Sequence, residues 1–240
     1  MQINHYIIAM LLISFSSHVQ AQQLPNELTN SEKAAGWVSL FNGKTTEGWR
    51  TYNKDKIGSS WKIEEDALAL TTNDDGKVED GGAIVSMIMP ENYELSLEWK
   101  ISACGNSGIM YNVIEKPTLS RAYHSGPELQ VLDNSCHPDA KIHTHRAGDL
   151  YDLIPSEPEV VNKVGEWNQF TMRILDGEVT VFLNGSQVLQ YTMYTDAWNA
   201  MVAESKFKDM EDFAMHRQGR IALQDHGDPV WFRNIKYRAL

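Results

Sequence analysis

The chain of 240 residues has only two cysteines, Cys104 and Cys136. Neither has a partner at ligand spacing, which excludes a clustered-cysteine zinc site. A disulfide and two free thiols both stay open. Basic residues are also scarce: 21 Lys and Arg stand against 32 Asp and Glu, a net charge of −11. A chain so acidic is unsuited to a nucleic-acid backbone, so nucleic acid is excluded as a partner. Long apolar runs are missing too. The longest, Tyr6 to Phe15, is too short to span a bilayer, and no later segment suggests membrane insertion. No cysteine follows that run to carry a lipid, and no Gly-rich dinucleotide fingerprint follows a strand. Internal repeats are absent.

What the first residues do contain is an apolar run followed by small and polar residues and the tripeptide Val19-Gln20-Ala21. This reads as a secretory signal peptide over residues 1–21, although its leading segment lacks Lys and Arg and relies on the terminal amine and His5 for positive charge. The expected product is exported, periplasmic or secreted. Residues 22–35 read as a polar leader. Residues 36–240 show no interior linker and are long enough for one domain with a real core; oligomeric state is open.

Strands dominate that domain. "NQFTMRILDGEVTVFLNGSQVLQY" alternates apolar and polar residues around Asp176-Gly177 and Asn184-Gly185, both suited to type I′ hairpin turns, and so predicts a three-stranded meander. "ELSLEWKI", "GIMYNVI", "ELQVLD", "RIALQD" and "VWFRNIKYRAL" predict further strands. The exception is Thr195 to Ala214, whose composition predicts one or two short helices, with Asp196 placed to cap the first. Many short strands with one helical insertion predict an all-β fold, a two-sheet jelly-roll β-sandwich. Trp49, Trp61, Trp99, Trp167 and Trp231 lie in alternating patterns and are assigned to the core; Trp198, in the insertion, is expected to be exposed.

In "GPELQVLDN", Gly126 to Asn134, parity puts Leu129 and Val131 on one face and Glu128 and Gln130 on the other. By the same rule Arg220, Ala222, Gln224 and His226 share a face opposite Ile221 and Leu223. Two strands therefore offer polar side chains to an open face.

Those two stretches, with "LFNGKTTEGW", "GNSGIMY", "HRAGDLYDL" and "GEWNQF" in this order and spacing, resemble the 3-keto-disaccharide hydrolase domain family over nearly all of the chain from Trp37 to Leu240. The resemblance implies a concanavalin A-like jelly roll of the lectin and glucanase type. It also implies cleavage of glycosidic bonds in sugars oxidised to a ketone at carbon 3, so the partner is an oxidised mono- or disaccharide glycoside made by a separate oxidoreductase.

Jelly-roll β-glucanases of the laminarinase type carry Glu-x-Asp-x-x-Glu on one strand, where this chain has Glu128-x-Gln130-x-x-Asp133. A retaining glycosidase needs two carboxyl groups about 5–5.5 Å apart. With an amide at Gln130, and Asp133 reaching the same face only through a bulge, ordinary double displacement is the weaker expectation. A 3-ketone instead acidifies the hydrogen at carbon 2, and elimination then needs a base, an electrophile for the ketone oxygen and an acid for the leaving group.

Glu128 and His226 are the candidate acid and base, in either order, and Lys206 the candidate ammonium for the ketone. Gln130, Gln224 and Arg146 are candidate orienters. In "HTHRAGDLYDL", His145, Arg146, Asp149 and Tyr151 are candidates to line the cleft, with His145 also a catalytic candidate and His143 a weaker one. Asn106, in a predicted turn, and Tyr111, on the strand after it, are candidate sugar contacts, as is Asp133. No cofactor is required, although Glu128, Asp133, Asp149 and the histidines are compatible with a divalent metal. A non-catalytic sugar-binding module is the competing reading, since fold does not fix function.

Overall fold

The computed structural model describes residues 24–240; the stretch read as a signal peptide lies outside them. Asp176 and Gly177 have φ of 52° and 89°, and Asn184 and Gly185 have 49° and 81°. Positive φ at both central residues is what a type I′ turn requires. The two turns connect three antiparallel strands as expected.

The strands run β1 (Val38–Ser39), β2 (Trp49–Thr51), β3 (Trp61–Glu64), β4 (Ala67–Leu70), β5 (Ile84–Ser86), β6 (Tyr93–Ile101), β7 (Asn106–Val113), β8 (Glu128–Leu132), β9 (Asn168–Leu175), β10 (Glu178–Leu183), β11 (Ser186–Thr192), β12 (Arg220–Leu223) and β13 (Val230–Ala239). They form two antiparallel sheets. One has the order β11-β10-β9-β6-β13-β4-β3, with β1 also paired to β13; the other has the order β2-β5-β12-β7-β8. Leu95, Leu97, Trp99, Phe170, Met172, Val179, Val181 and Phe232 from the first sheet meet Ile84, Ile109, Tyr111, Leu129, Val131 and Leu223 from the second in one buried core. This is the two-sheet sandwich that the spacing of strands predicts.

Period-two alternation also decides which tryptophans are inside. Trp49, Trp61 and Trp99 are buried. Trp167 and Trp231 are not, contrary to expectation. On β13 Val230 and Phe232 point inward, so Trp231 points out, and the Lys100 ammonium lies 5.0 and 4.8 Å from the ring centres of Trp167 and Trp231. Arg233, on the same outer face, stacks on Trp167 at 4.0 Å and donates to Glu98 at 2.6 Å. The outer face of the larger sheet is thus occupied by its own charge pairs.

Residues 24–35 are more than a leader. Asn26 and Asn234 exchange backbone-to-side-chain hydrogen bonds at 2.5 and 2.7 Å. Helix α1 (Asn30–Ala34) starts with a Thr29/Glu32 capping box, which satisfies two amides that a helix start leaves bare. Lys236 of β13 pairs with Glu32.

The insertion contains one helix, α2 (Asp196–Glu204), followed by turns. Thr195, not Asp196, caps it, its Oγ1 accepting from Trp198 N–H at 3.1 Å. Trp198 is buried against Tyr191 with ring centres 5.5 Å apart, where an exposed side chain was expected. The helix must bury one face to stay on the sandwich, and Trp198 is the large apolar residue on it. Cys104 and Cys136 are disulfide-bonded with Cα atoms 4.7 Å apart, joining the turn before β7 to the loop after β8. Closing a separation of 32 residues constrains the unfolded chain by about 3–4 kcal/mol.

Candidate active site

The outer face of the five-stranded sheet carries the site, and strand parity builds it. Gly108 of β7 stands opposite Gln130 of β8, Met110 opposite Glu128, and Ala222 of β12 opposite Met110. Gln224, just past β12, keeps the pairing by donating its N–H to the Gly108 carbonyl at 2.9 Å. Glu128, Gln130 and Gln224 therefore converge on one patch of sheet.

Glu128 is 8% exposed. Burial pushes its carboxyl up to about 8 from 4.5, against the opposing pull of Lys206 and of the Gln224 hydrogen bond. Gln224 Nε2 donates to Oε2 at 2.9 Å, while Gln224 Oε1 is buried without a hydrogen-bond partner. Gln130 serves the other oxygen: turned with its nitrogen forward, its amide donates to Glu128 Oε1 and to the Ser107 carbonyl, both at 3.1 Å. In the reverse orientation its oxygen can accept from a protonated Glu128, and its nitrogen lies 3.4 Å from Asn106 Oδ1. An amide supports both protonation states of its neighbour, whereas a carboxylate could only accept.

Gly108 makes room for this carboxyl. A Cβ there would lie 2.6 Å from Glu128 Cδ and 2.7 Å from Cγ. Gly108→Ala is therefore expected to swing the carboxyl off its amides and lower kcat/KM by about 10²-fold, with an unchanged far-ultraviolet spectrum as the check on folding.

A second arm comes from the insertion. Lys206 follows α2, and its backbone N–H donates to Asp152 Oδ2 at 3.2 Å. Its ammonium lies 3.8 Å from the Tyr151 ring centre; behind that, Tyr151 stacks on His145 at 4.1 Å, and His145 Nε2 meets Asp152 Oδ1 at 3.0 Å. Asp152 thus fixes both ends of a three-layer stack. Burial lowers the Lys206 pKa, opposed by the carboxylates of Asp152, Glu128 and Asp139.

The cleft has a volume of about 360 Å³. Of the residues singled out from sequence, Glu128, Gln130, Asn106, Tyr151, Lys206, Gln224 and His226 line it. Asn106 does so from β7 itself, since "GNSG" continues the strand where a turn was expected. His226 is exposed at the rim, edge-on to His137 with ring centres 6.3 Å apart.

The others lie elsewhere. Tyr111 points into the core and bonds Tyr191 OH at 2.6 Å, because odd positions of β7 face inward. Asp133 is buried in the turn after β8, accepting from Cys104 N–H at 2.8 Å and from Ser135 N–H and Oγ, bonds that hold its pKa low despite burial. Asp149 spends its oxygens on Arg146 N–H at 2.7 Å and on Ser156. The Arg146 side chain turns to the Ala140 carbonyl and to Glu159. His145 backs Tyr151 and does not line the cleft, and His143 is exposed on a loop, not a strand.

The hard ligands Glu128, Asp133 and Asp149 therefore do not converge. Among the described residues, three groups of metal-ligating type come close together only at Cys104, Asp133 and Cys136, where the sulfurs are already bonded to each other.

Sequence reasoning missed Asp152, Tyr123, Phe207 and Met210; the last three line the cleft, Tyr123 from a short 3-10 helix (Ala122–His124) and Phe207 and Met210 from the turns after α2. Asp152 sits within the dense polar cluster noted above. The other three gave no pattern to read.

Residues 36–238 match the profile of the 3-keto-alpha-glucoside-1,2-lyase-like domain. The chain belongs to this family. A 3-keto-disaccharide hydrolase of Bacteroides thetaiotaomicron is 36% identical, over 95% of this chain and 86% of its own length. The crystal structure of a candidate glycosyl hydrolase from Parabacteroides distasonis superposes with a TM-score of 0.82 at 29% identity, covering 90% of this chain and all of that one. A carbohydrate-binding module of Bacillus subtilis, at 12% identity and a TM-score of 0.50 over 80% of this chain and 96% of its own, shares the jelly-roll fold alone. Within the 3-keto-alpha-glucoside-1,2-lyase-like family, then, the cleft of this chain is lined by one buried carboxyl, Glu128, held between two amides, with the Lys206 ammonium on the same lining.

Proposed function

We propose that this chain cleaves the C1–O bond of 3-keto-glycosides by proton abstraction at carbon 2 and elimination, with water adding afterwards where the net result is hydrolysis. Glycoside cleavage is the reaction class of the family. The elimination rests on one observation: Glu128 is the sole carboxylate among the cleft-lining residues. Double displacement needs two such groups about 5–5.5 Å apart, and Asp133, where a glucanase has its second, is spent on backbone amides.

Glu128, deep in the cleft, acts as base. Its C2 proton transfer leaves an enolate whose oxygen at carbon 3 is stabilised by the Lys206 ammonium. The electron pair then returns to re-form the ketone, a C1–C2 double bond forms, the C1–O bond breaks, and the leaving oxygen takes a proton from His226 at the rim. In an α-glucoside the C2 hydrogen and the C1 oxygen lie on opposite ring faces, which suits a base at the floor and an acid at the lip. Gln130 can reorient as Glu128 gains its proton.

A lectin of this fold would gain nothing from burying an ionisable carboxyl at its site, which destabilises the fold wherever the group is charged. We place the enzyme outside the cytoplasm, on the signal-peptide reading and on a disulfide that suits an oxidising compartment.

The test compares methyl α-glucoside with its 3-keto counterpart in deuterated water. Cleavage of the keto sugar alone, with deuterium at carbon 2 of product or recovered substrate, is the expected result. Equal cleavage of the native sugar sinks the elimination, and a chelator arm reports on any metal.

A further inference from the structure

Glu128 and Lys206 reach the cleft from distant parts of the chain, one on β8 and the other after α2, and a closed circuit of contacts relates them. Tyr151 N–H donates to the Glu128 carbonyl at 2.9 Å, which ties Tyr151 to the strand that carries the base. The Lys206 ammonium lies 3.8 Å from the centre of the Tyr151 ring, and the His145 ring stacks on Tyr151 at 4.1 Å. Asp152 closes the circuit, with Oδ1 on His145 Nε2 at 3.0 Å and Oδ2 on Lys206 N–H at 3.2 Å. We propose that His145 is a positioning residue for the reaction: it backs the Tyr151 ring and thereby sets where the Lys206 ammonium stands relative to Glu128. The role rests on the elimination reading above, in which Lys206 receives the ketone oxygen.

The residue type at 145 points to position rather than to packing. His145 is 8% exposed, and its Nδ1 is buried without a hydrogen-bond partner, since Asp139 Oδ2 is 3.9 Å away. A buried nitrogen with no partner destabilises the fold, so a phenyl ring would serve better as mere filling. What a phenyl ring lacks is a donor for Asp152, whose oxygens accept from Nε2 and from Lys206 N–H.

Asp152 is shaped for that double task. Its φ of 63° lies in the left-handed region, uncommon outside Gly, Asn and Asp, and its N–H donates to the Thr144 carbonyl at 2.9 Å. Its two carboxylate oxygens are thus divided between the imidazole and the insertion. Without His145 the Tyr151 ring loses its backing, and the ammonium over it loses its fixed height. A misplacement of about 1 Å is enough to lower a rate by on the order of 10²-fold.

The test measures cleavage of methyl 3-keto-α-glucoside by three variants. His145→Leu is expected to lower kcat about 30-fold with KM within threefold of wild type, and deuterium exchange at carbon 2 should fall with kcat. His145→Gln, whose amide can lie on Tyr151 and donate to Asp152, should recover to within about threefold of wild type. Asp152→Gly suits the backbone and removes both bonds, so it should repeat the His145→Leu result, and it carries the test if thermal melts show His145→Leu unfolded. NMR of protein labelled with 13C at the lysine ε carbons reads the placement without turnover. The Tyr151 ring should shift the Lys206 ε protons upfield, and that shift should collapse in His145→Leu and Asp152→Gly but persist in His145→Gln. A folded His145→Leu or Asp152→Gly with kcat within twofold of wild type overturns the role, as does a loss carried by KM alone or one that leaves the Lys206 shift unchanged. Should wild type cleave no keto-glucoside, the elimination reading fails instead. The Lys206 shift then decides: its collapse supports His145 as the backing of the ammonium, and an unchanged shift overturns it.

Discussion

Replacing Glu128 with glutamine is expected to reduce kcat/KM on 3-keto-glycosides by about 10²–10⁴-fold and, above pH 8, to make the protein more stable. Both effects come from the same buried carboxyl. In the wild type a base with its pKa at about 8 is mostly protonated at neutral pH, so kcat/KM should climb about tenfold per pH unit below that value and level off above it. The variant has no such limb. For stability the sign runs the other way. The folded state holds a proton up to about pH 8, whereas the unfolded chain releases it near 4.5. Between those values the unfolded state binds fewer protons, so stability falls as pH rises and stays reduced above about 8.

Glutamine removes that penalty. Gln224 Nε2 can still donate to the new amide oxygen, and Gln130 can turn its own oxygen to accept from the new nitrogen. The gain at pH 9 is on the order of 3 kcal/mol, or about 6–12 °C in Tm, with none at pH 4, where both states are protonated. Melting curves of both proteins at the two pH values check it. A variant no more stable than wild type at pH 9 would mean that Glu128 is not held in a desolvated site.

The face to which Glu128 and Gln130 belong was legible because a strand has period two and its apolar partners, Leu129 and Val131, declare the other face. The same rule should have excluded Tyr111. Asn106 and Tyr111 are five residues apart on β7, so they point to opposite sides, and the core took the aromatic ring. Asp133 lay beyond what alternation can describe, because pairing stops at Leu132 and the chain turns there. Its carboxylate then does what aspartates in turns commonly do, which is to accept from nearby backbone amides. Arg146 and Asp149 were drawn from a cluster whose density was visible, but whose side chains support one another's loop.

Asp152 belongs to that cluster and had no distinguishing mark. Its importance comes from a contact with residue 206, fifty-four positions away, and no local pattern encodes such a contact. Trp198 failed for a related reason. A short helix is kept on a sandwich by whatever large apolar side chain it can bury, and exposure cannot be inferred from membership of an insertion.

Replacing Lys206 with methionine separates binding the keto sugar from activating it. The methylenes over Tyr151 are retained and the ammonium is lost, so KM should change little while kcat falls about 10²–10³-fold. The pH profile should change as well. Lys206 is the main influence opposing burial at Glu128, so its removal moves the ascending limb above about 8. An alkaline descent from loss of the ammonium, whose own pKa burial lowers, disappears with it. Isotope exchange makes the assignment specific. Without an electrophile at carbon 3 the enolate does not form, and Lys206→Met should lose deuterium incorporation at carbon 2 together with cleavage. His226→Ala removes only the acid for the leaving group, so it should still exchange deuterium into unreacted keto sugar while eliminating slowly. Should both variants lose exchange equally, His226 acts before the leaving group departs, and the division of base and acid between the floor and the lip must be reversed.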